Sequence, residues 1–291
     1  MMQKVLIHPN PIKFNALQVT EDLIGLLLGF GYEVMMRNSI KPLLYSELNR
    51  DVVHRVRFVE DNVAFSLCDF VIVVGGDGTL LKIANQAAEH NKPILGVNMG
   101  TIGFMTEVEV DELPIVARIK EGNYELDPRI MLDFSVQDSY GNTTFSTTVL
   151  NEVVITKGVI SKVIRLAISV NDRESMRFSG DGVIVCTPTG STAYSLAAGG
   201  PILGPSCDCM AVTPICPHAL NAKSFVVSAD TEITITPEHR NQRVFLSPDG
   251  FQSYELQMGD KVHIKKSARS ISLIHLKGQG FYEVISEKLS K

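Results

Sequence analysis

The chain lacks the features of several large protein classes. In its 291 residues, Lys and Arg total 27 against 32 Asp and Glu, and no basic cluster is interleaved with aromatic residues. The electrostatic footprint of a nucleic-acid binder is therefore missing, and we expect no nucleic-acid partner. The five cysteines are odd in number and unevenly spread, which argues against a disulfide framework.

Long apolar runs are also missing. The most apolar stretch near the amino terminus, residues 23–30, is too short to span a bilayer and follows two acidic residues. Residues 1–8 show a short strand pattern without the charged, apolar and cleavage regions of a secretory signal. We therefore expect a cytoplasmic protein with no membrane partner.

Four soft metal ligands lie close together in the sequence, at Cys207, Cys209, Cys216 and His218. Their spacing fits no common structural zinc pattern, and prolines at 205, 214 and 217 restrict how the segment folds. We interpret the segment as a loop with buried thiols, with a zinc site as the lesser alternative. The chain is predicted to supply no metal ligands.

The first part of the chain alternates strand and helix patterns. Strands are predicted at residues 5–8, 32–35, 70–74 and 94–97, and helices at 19–28, 61–66 and 80–90. This alternation predicts a Rossmann-like α/β domain with a mostly parallel sheet, over residues 1–127. Short β-rich runs separated by turn residues follow, and they predict an all-β domain over residues 128–269. Residues 270–291 are expected to pack back on the first domain.

A glycine-rich turn follows the most apolar predicted strand. Residues 70–74 form a continuous apolar run, typical of a strand buried on both faces, and lead into the sequence GGDGT at residues 75–79. A helical pattern comes next, and the N–H groups at a helix start bind phosphate well. Asp77 thus lies where ligand crevices form in open α/β sheets. In an isolated motif, a helix-capping aspartate would be the better interpretation.

Three further segments carry polar residues in unusual patterns. Residues 179–202 combine small residues, hydroxyls and one acid, which favours a cradle for a nucleotide that approaches the backbone closely. Residues 98–104 (NMGTIGF) lack the full dinucleotide fingerprint, which disfavours a dehydrogenase. Asn151 and Glu152 open a predicted strand, where a solvent-facing polar pair is the alternative interpretation.

These four segments, at residues 75–79, 98–104, 151–155 and 179–202, resemble in order and spacing the bacterial NAD kinase family. The resemblance covers nearly the whole chain. The first motif is shared with phosphofructokinase-like and lipid kinases, whereas the run TPTGSTAYS is far more selective. The resemblance implies an enzyme that uses ATP to phosphorylate the 2′-hydroxyl of the adenosine ribose of NAD, giving NADP, with a β-rich NAD-binding domain.

The resemblance also implies roles for individual residues. Asp77 would be the general base beside the 2′-hydroxyl. The rest of the implied binding set comprises Gly78 against phosphate, Lys82 and Lys162 as cations near the ligand, Phe104, Thr192, Ala193, Tyr194 and Ser195 around the adenine and ribose, Asn151, Glu152 and Asp181 as hydrogen-bond partners, and Ser179, Thr189 and Gln252. Ser179 departs from the arginine of some family members. A divalent ion, Mg²⁺, would accompany ATP, and the family suggests a dimer or tetramer.

Other functions and substrates stay open at this point. A lipid or sugar kinase would also use a GGDG turn, but it would leave the hydroxyl-rich segment without a role. A catalytically inactive nucleotide sensor is disfavoured because Asp77 and the Asn151-Glu152 pair are present. The sequence leaves open whether the donor is ATP, another nucleoside triphosphate or polyphosphate, and whether NADH is accepted.

Overall fold

The computed structural model describes residues 3–100, 103–158, 162–238, 242–278 and 280–290. The chain divides into two compact units. Unit 1 comprises residues 1–128 and 271–291, and unit 2 comprises residues 129–270. The amino-acid run Asp127-Pro128, where the sequence changes character, lies at this division.

Unit 1 is built on a parallel sheet. Continuous apolar runs form its central strands because both faces of these strands are buried. The strands are β1 (Lys4–Pro9), β2 (Glu33–Arg37), β3 (Arg57–Val59), β4 (Phe70–Gly75) and β5 (Ile94–Asn98), in the order β3-β2-β1-β4-β5. The register pairs Pro9 with Val74 and Gly75 with Asn98, so the carboxyl ends of β1, β4 and β5 meet at one edge.

Helices complete unit 1. The longest ones bury an apolar stripe with helical spacing, as in Leu80, Ile83 and Ala87 of the helix after β4. The helices of the chain are α1 (Ala16–Gly29), α2 (Lys41–Glu47), α3 (Arg50–Val53), α4 (Ala64–Leu67), α5 (Asp77–Glu89), α6 (Ala117–Glu121), α7 (Tyr194–Ala197, in unit 2) and α8 (Phe281–Leu289). None of the helices in the described ranges is long and apolar enough to cross a membrane.

Unit 2 is antiparallel throughout its paired strands. One sheet has the order β13-β12-β11-β8-β15-β16, and a second set of strands runs β10-β9-β14-β17, with β6 paired to β7. The strands are β6 (Glu125–Gln137), β7 (Thr143–Val149), β8 (Glu152–Lys157), β9 (Ile164–Val170), β10 (Arg173–Gly180), β11 (Gly182–Cys186), β12 (Cys209–Ile215), β13 (Phe225–Ser228), β14 (Ile233–Glu238), β15 (Val244–Pro248), β16 (Tyr254–Leu256) and β17 (Lys261–His275). The predicted fold class, a mostly parallel α/β part followed by an all-β part, is confirmed.

The carboxyl end of β17 belongs to unit 1, where Leu273 pairs in parallel with Ile94. Charged groups fix the segment that follows. Glu107 accepts the backbone N–H groups of Leu276 and Lys277, and His275 lies between Glu107 and Asp127, with Nε2 3.1 Å from the Asp127 carboxylate. Hydrogen bonds to both acids raise the pKa of His275 to about 9, so the imidazole is charged at neutral pH.

The prediction that residues 207–218 form a loop with buried thiols is wrong. Residues 209–215 form β12, whose pairing with β13 stops at Val212, so the missing N–H of Pro214 faces no strand on that side. Cys207 and Cys216 are exposed and Cys209 is half-buried, rather than buried. Within the described part of the chain, no cluster of three or more His, Cys, Asp or Glu side chains could hold a metal ion.

Candidate active site

Asp77 lies at the first position of α5, directly after the buried strand β4. Its carboxylate is held by four donors. Oδ2 accepts the N–H of Phe104 at 2.7 Å, and Oδ1 accepts the N–H of Met105 at 3.2 Å and both the N–H and the hydroxyl of Thr106, at 3.1 and 3.2 Å. These bonds fix the direction of a half-buried carboxylate.

Some glycines in and beside this turn are required by the packing of the protein, and others are not. A Cβ on Gly75 would overlap the Thr79 side chain, and one on Gly103 would overlap the Thr106 hydroxyl, so the protein's own packing requires both. Around Gly76 and Gly78, by contrast, nothing lies within 4 Å of an added Cβ. The backbone of the turn is therefore open to a ligand at Gly76 and Gly78.

The segment after β5 is bonded to this turn through Met99, whose N–H donates to Gly75 O at 2.8 Å. The buried Asn98 side chain donates to the Glu109 carboxylate at 3.1 Å and accepts the N–H of Gly100 at 2.9 Å. Residues 101 and 102 of the motif lie outside the described residues. Phe104 is half-buried beside Asp77, and Lys82 is exposed on α5. Asp77, Gly78 and Phe104 thus form one group in unit 1.

Unit 2 contains a second group, at the start of β8. Asn151 and Glu152 are 5% and 7% exposed, yet Asn151 Oδ1 and Glu152 Oε2 have no hydrogen-bond partner among the described residues. Buried polar atoms are nearly always paired, so two orphans on neighbouring residues mark a place where a ligand can supply the partners. The two side chains are therefore not a solvent-facing polar pair.

Asp249 holds the backbone of this pair in place. Its carboxylate accepts the N–H groups of Leu150, Asn151 and Glu152, each at 2.9 Å. Burial, together with the negative charge of Asp249, raises the pKa of Glu152 to about 8. Burial also raises the pKa of Asp249, although both of its oxygens accept backbone N–H groups.

The hydroxyl-rich segment packs against the same pair, but most of its hydroxyls serve the fold. Thr187 donates to Leu150 O and Ser191 to Pro188 O, both at 2.6 Å, and the buried Ser195 hydroxyl lies 3.0 Å from that of Thr213. A Cβ on Gly190 would overlap the backbone of Asn151. The density of small residues therefore reflects close backbone packing as well as any ligand.

The remaining candidates of this segment are more accessible. Tyr194 is 44% exposed, and its backbone N–H acts to lower the pKa of Glu152, against the larger effect of burial. Thr192 and Ala193 are half-buried, and the Thr192 hydroxyl donates to Thr189 O at 3.1 Å. Thr189 itself is buried and accepts from Arg129 at 3.2 Å. The structure thus brings Asn151 and Glu152 together with residues 187–195.

Four candidates lie outside this group of contacts. Asp181 forms an ion pair with Lys157 at 2.7 Å, and Ser179 is half-buried at the end of β10. Lys162 and Gln252 are exposed, and among the described residues no hydrogen bond or ion pair joins either one to another candidate. Their roles in binding stay predictions.

Sequence reasoning missed Asp249 as a site residue. Its only signal was the Asp249-Gly250 pair after an apolar run, a turn pattern found in many hairpins. Its three backbone bonds bring residues 150–152 and residue 249 together from distant parts of the chain. No local pattern could have shown this contact.

The buried Glu152 predicts a pH effect on stability. Its pKa in the folded protein, about 8, lies above the ordinary value of 4.5, so the folded state binds more protons between these values and stability falls as the pH rises through them. Glu152→Gln removes this titration. We expect the melting temperature of the wild type, relative to the variant, to drop by roughly 5 °C between pH 4.5 and pH 8.

Differential scanning fluorimetry over this pH range checks the effect. Glu255→Gln is the matched control, because Glu255 pairs with Arg243 and its pKa is lowered, so it does not titrate in this window. Parallel melting curves for wild type and Glu152→Gln across the range would show that the pKa of Glu152 is not raised in the folded protein.

Comparison with known proteins covers most of the chain. Residues 5–124 match the family described as ATP-NAD kinase N-terminal domain, and residues 150–276 match ATP-NAD kinase C-terminal domain. The chain is 38% identical over 291 residues to an NAD kinase of Caldanaerobacter subterraneus subsp. tengcongensis, covering all of both chains. It is 39% identical over 290 residues to an NAD kinase of Geobacter sp. strain M21, covering 99% of this chain and 98% of that protein.

Solved structures show the same fold. A yeast NADH kinase complexed with NADH superposes with a TM-score of 0.89 at 22% identity, covering 99% of this chain and 88% of that one. An NAD kinase from Archaeoglobus fulgidus in complex with ATP gives a TM-score of 0.72 at 23% identity, covering 99% of each chain. At these identities the likeness concerns the fold.

Proposed function

This chain belongs to the NAD kinase family, and from that premise we propose that Asp77 is the base of its reaction. The enzyme transfers a phosphoryl group from ATP to the 2′-hydroxyl of the adenosine ribose of NAD and so forms NADP. The observation that carries the residue assignment is the carboxylate of Asp77, fixed by four donors beside the open backbone of Gly76 and Gly78.

Phosphoryl transfer needs positioning more than covalent chemistry by the protein. The 2′-oxygen forms a bond to the γ-phosphorus while the bond to the bridging β,γ-oxygen breaks, and ADP leaves. Asp77 orients the hydroxyl and accepts its proton late in the step. The N–H groups of Thr79 and Leu80 already donate to Gly76 O, so the N–H groups of Asp77 and Gly78, at the start of α5, would face the anionic phosphates.

We propose that NAD is recognised by the second group, in unit 2. The orphaned Asn151 Oδ1 and Glu152 Oε2 can pair with sugar hydroxyls or base edges, and a protonated Glu152 can also donate. Tyr194 offers an exposed ring for the base. The Ser195 hydroxyl is buried and bonded to that of Thr213. We therefore propose that Ser195 contributes to the site through its backbone rather than its side chain. We also propose that NAD is contacted by Phe104, Thr192, Ala193 and Asp181, as the family resemblance implies.

The donor nucleotide has a candidate pocket in unit 1. A cavity of about 290 Å³ lies at the carboxyl ends of β1 and β2, with largely apolar walls and one cationic side chain, Arg37. The Nε atom of Arg37 is buried without a partner among the described residues. Asn10 links this pocket to the glycine turn, since its N–H donates to Val74 O and its amide to the Thr79 hydroxyl.

A flat base with an anionic tail fits this pocket. Burial and the nearby cations Arg37 and Lys82 lower the pKa of His8, on the pocket wall, to about 4, so its ring is neutral and able to hydrogen-bond a base. We propose that the base of the donor occupies the pocket and that its phosphates extend past Asn10 to the open backbone at Gly76 and Gly78.

Filling the pocket tests the donor assignment. Ile40 lines it, and Ile40→Trp is expected to raise the KM for ATP by about 10-fold or more while the KM for NAD stays within about twofold. Initial rates of NADP formation measure both constants. Tyr140→Trp, at a residue 89% exposed in unit 2, is the matched control for the added indole. An unchanged KM for ATP in Ile40→Trp would place the donor elsewhere.

One assay separates this function from its alternatives. Purified enzyme with NAD and ATP is expected to form NADP, whereas fructose 6-phosphate and lipid vesicles are expected to accept no phosphate. Varying the donor and replacing NAD with NADH in the same assay defines the substrate range. Failure to form NADP with any donor would favour the inactive nucleotide sensor.

Three further points complete the proposal. The donor phosphates would carry a divalent ion, Mg²⁺, because the described residues supply no cluster of three metal ligands. We also propose that the enzyme is a dimer or tetramer, as the family resemblance implies, which light scattering measures. Its proposed location is the cytoplasm.

A further inference from the structure

The last helix of the chain carries a cation to the Asp77 group. α8 begins after Gly280, whose N–H is capped by the Glu283 carboxylate at 3.2 Å. Near the end of the helix, Lys288 places its Nζ 5.8 Å from the centroid of the Phe104 ring. Phe104 is the residue whose N–H donates to Asp77 Oδ2 at 2.7 Å. Lys288 therefore lies over a side chain whose own backbone is bonded to the proposed base.

The contacts upstream of α8 anchor the segment that leads to Lys288. Glu107 accepts the N–H of Leu276 at 3.0 Å and that of Lys277 at 2.7 Å. Lys277 also forms an ion pair with Glu112. Arg118 donates to Leu276 O at 2.5 Å. These bonds fix residues 276 and 277 to unit 1, with three residues between them and the start of α8.

The side chain of Lys288 is half-buried. Burial lowers its pKa, and the charges of Asp77 and Glu109 act in the opposite direction. The charge of the neighbouring Glu287 also raises this pKa, and that of Lys277 lowers it. Lys277, in the same segment, is paired with Glu112. The N–H groups of the Lys288 side chain can thus donate to an anion. The nearby Asp77 carboxylate would by itself repel phosphate.

We propose that Lys288 is a catalytic residue of the kinase and that its ammonium group binds the phosphoryl group in transfer. The proposal rests on the role of Asp77 as base. As the bond from the 2′-oxygen to the γ-phosphorus forms and the bond to ADP breaks, the proton goes to Asp77 and the equatorial oxygens remain anionic. A cation held beside them lowers the repulsion between this group and the Asp77 carboxylate.

A purely structural role for the lysine is the competing explanation. A cation over an aromatic ring stabilises a fold modestly wherever it occurs. The same unit contains such a contact away from the site, since the Nζ of Lys120, on α6, lies 5.0 Å from the centroid of the Tyr32 ring. Lys120 therefore provides a matched control for the loss of a lysine-ring contact.

The test compares Lys288→Met with Lys120→Met. Both keep an unbranched side chain against the ring and remove the charge. For Lys288→Met, we expect kcat/KM for ATP to fall about 10²-fold, with the KM for NAD and the affinity for NAD in titrations unchanged within about twofold. Lys120→Met is expected to keep wild-type kinetics. Lys288→Arg is expected to recover part of the lost activity because it restores a cation.

The outcomes separate this proposal from the one on which it depends. If the wild type forms no NADP, the kinase assignment fails; if Asp77→Asn stays active, the base assignment fails. If both hold and Lys288→Met keeps kcat/KM within about threefold of wild type, only the role of Lys288 is wrong. Lys288→Gln is a second neutral variant, and loss of folding in both neutral variants, seen as a lost melting transition, would show a structural role and overturn the proposal.

Discussion

Replacing Asp77 with asparagine is expected to lower kcat for NADP formation by roughly 10²- to 10⁴-fold, while NAD still binds. The amide cannot accept the proton of the 2′-hydroxyl, so the positioned base is lost. The NAD contacts proposed in unit 2, at Asn151, Glu152 and Tyr194, are untouched by the change. The measurement is the steady-state rate, together with NAD affinity by titration.

The same substitution will also cost stability, and a control is needed to separate the two effects. In the Asp77→Asn variant, the side-chain NH₂ would face at least one of the backbone N–H groups that now donate to the carboxylate. Asp69→Asn makes the same chemical change in the same unit, where the Asp69 carboxylate accepts the N–H groups of Gln3 and Lys4. It is expected to keep its activity. An Asp77→Asn enzyme with near wild-type turnover would refute the base assignment.

Asp249→Ala is expected to have the largest effect on unit 2. Three N–H groups, of Leu150, Asn151 and Glu152, would lose their common acceptor. Residue 249 also has a φ of 45°, a left-handed conformation that alanine adopts less readily than aspartate. Unpaired buried donors cost about 1–3 kcal/mol each, and we expect a loss of about 3–5 kcal/mol in the free energy of unfolding.

Denaturant unfolding and the KM for NAD measure this prediction. Asp249→Asn should fall between wild type and Asp249→Ala, because the amide still offers an oxygen and tolerates the left-handed backbone. Asp138→Ala is the contrasting control. Asp138 also accepts two backbone N–H groups, of Tyr140 and Asn142, but at an exposed turn where water replaces the lost acceptor. Equal losses at positions 249 and 138 would mean that burial is not the cause.

The local sequence pattern was sufficient to predict the edge of the sheet at which Asp77 lies. Apolar and polar residues do not alternate at residues 70–74, which is typical of a strand buried on both faces. The glycine turn marks where this strand ends. The same reasoning failed for β12. Prolines are rare in inner strands, and only the pairing shows that the contact with β13 stops before Pro214.

Tertiary contacts explain what the sequence did not reveal about the site. The hydroxyls of Thr187, Ser191 and Ser195 suggested ligand contacts, yet each is bonded within the protein. The glycine at 190 is required by the backbone of Asn151, about forty residues away. Which small residues face a ligand and which face the protein depends on neighbours that are distant in sequence.

The division of the chain has a consequence for synthesis. Unit 2 is one continuous stretch, residues 129–270, whereas unit 1 needs both the start of the chain and residues 271–291. On the ribosome, Ile94 at the start of β5 must therefore wait for its partner Leu273 until the whole second unit has emerged, whereas the end of β5 already pairs with Val108. An edge left open in this way invites aggregation or chaperone binding. Lys288 follows the second unit in the chain, so a nascent chain that has released only residues 1–270 would lack the cation that we propose binds the phosphoryl group.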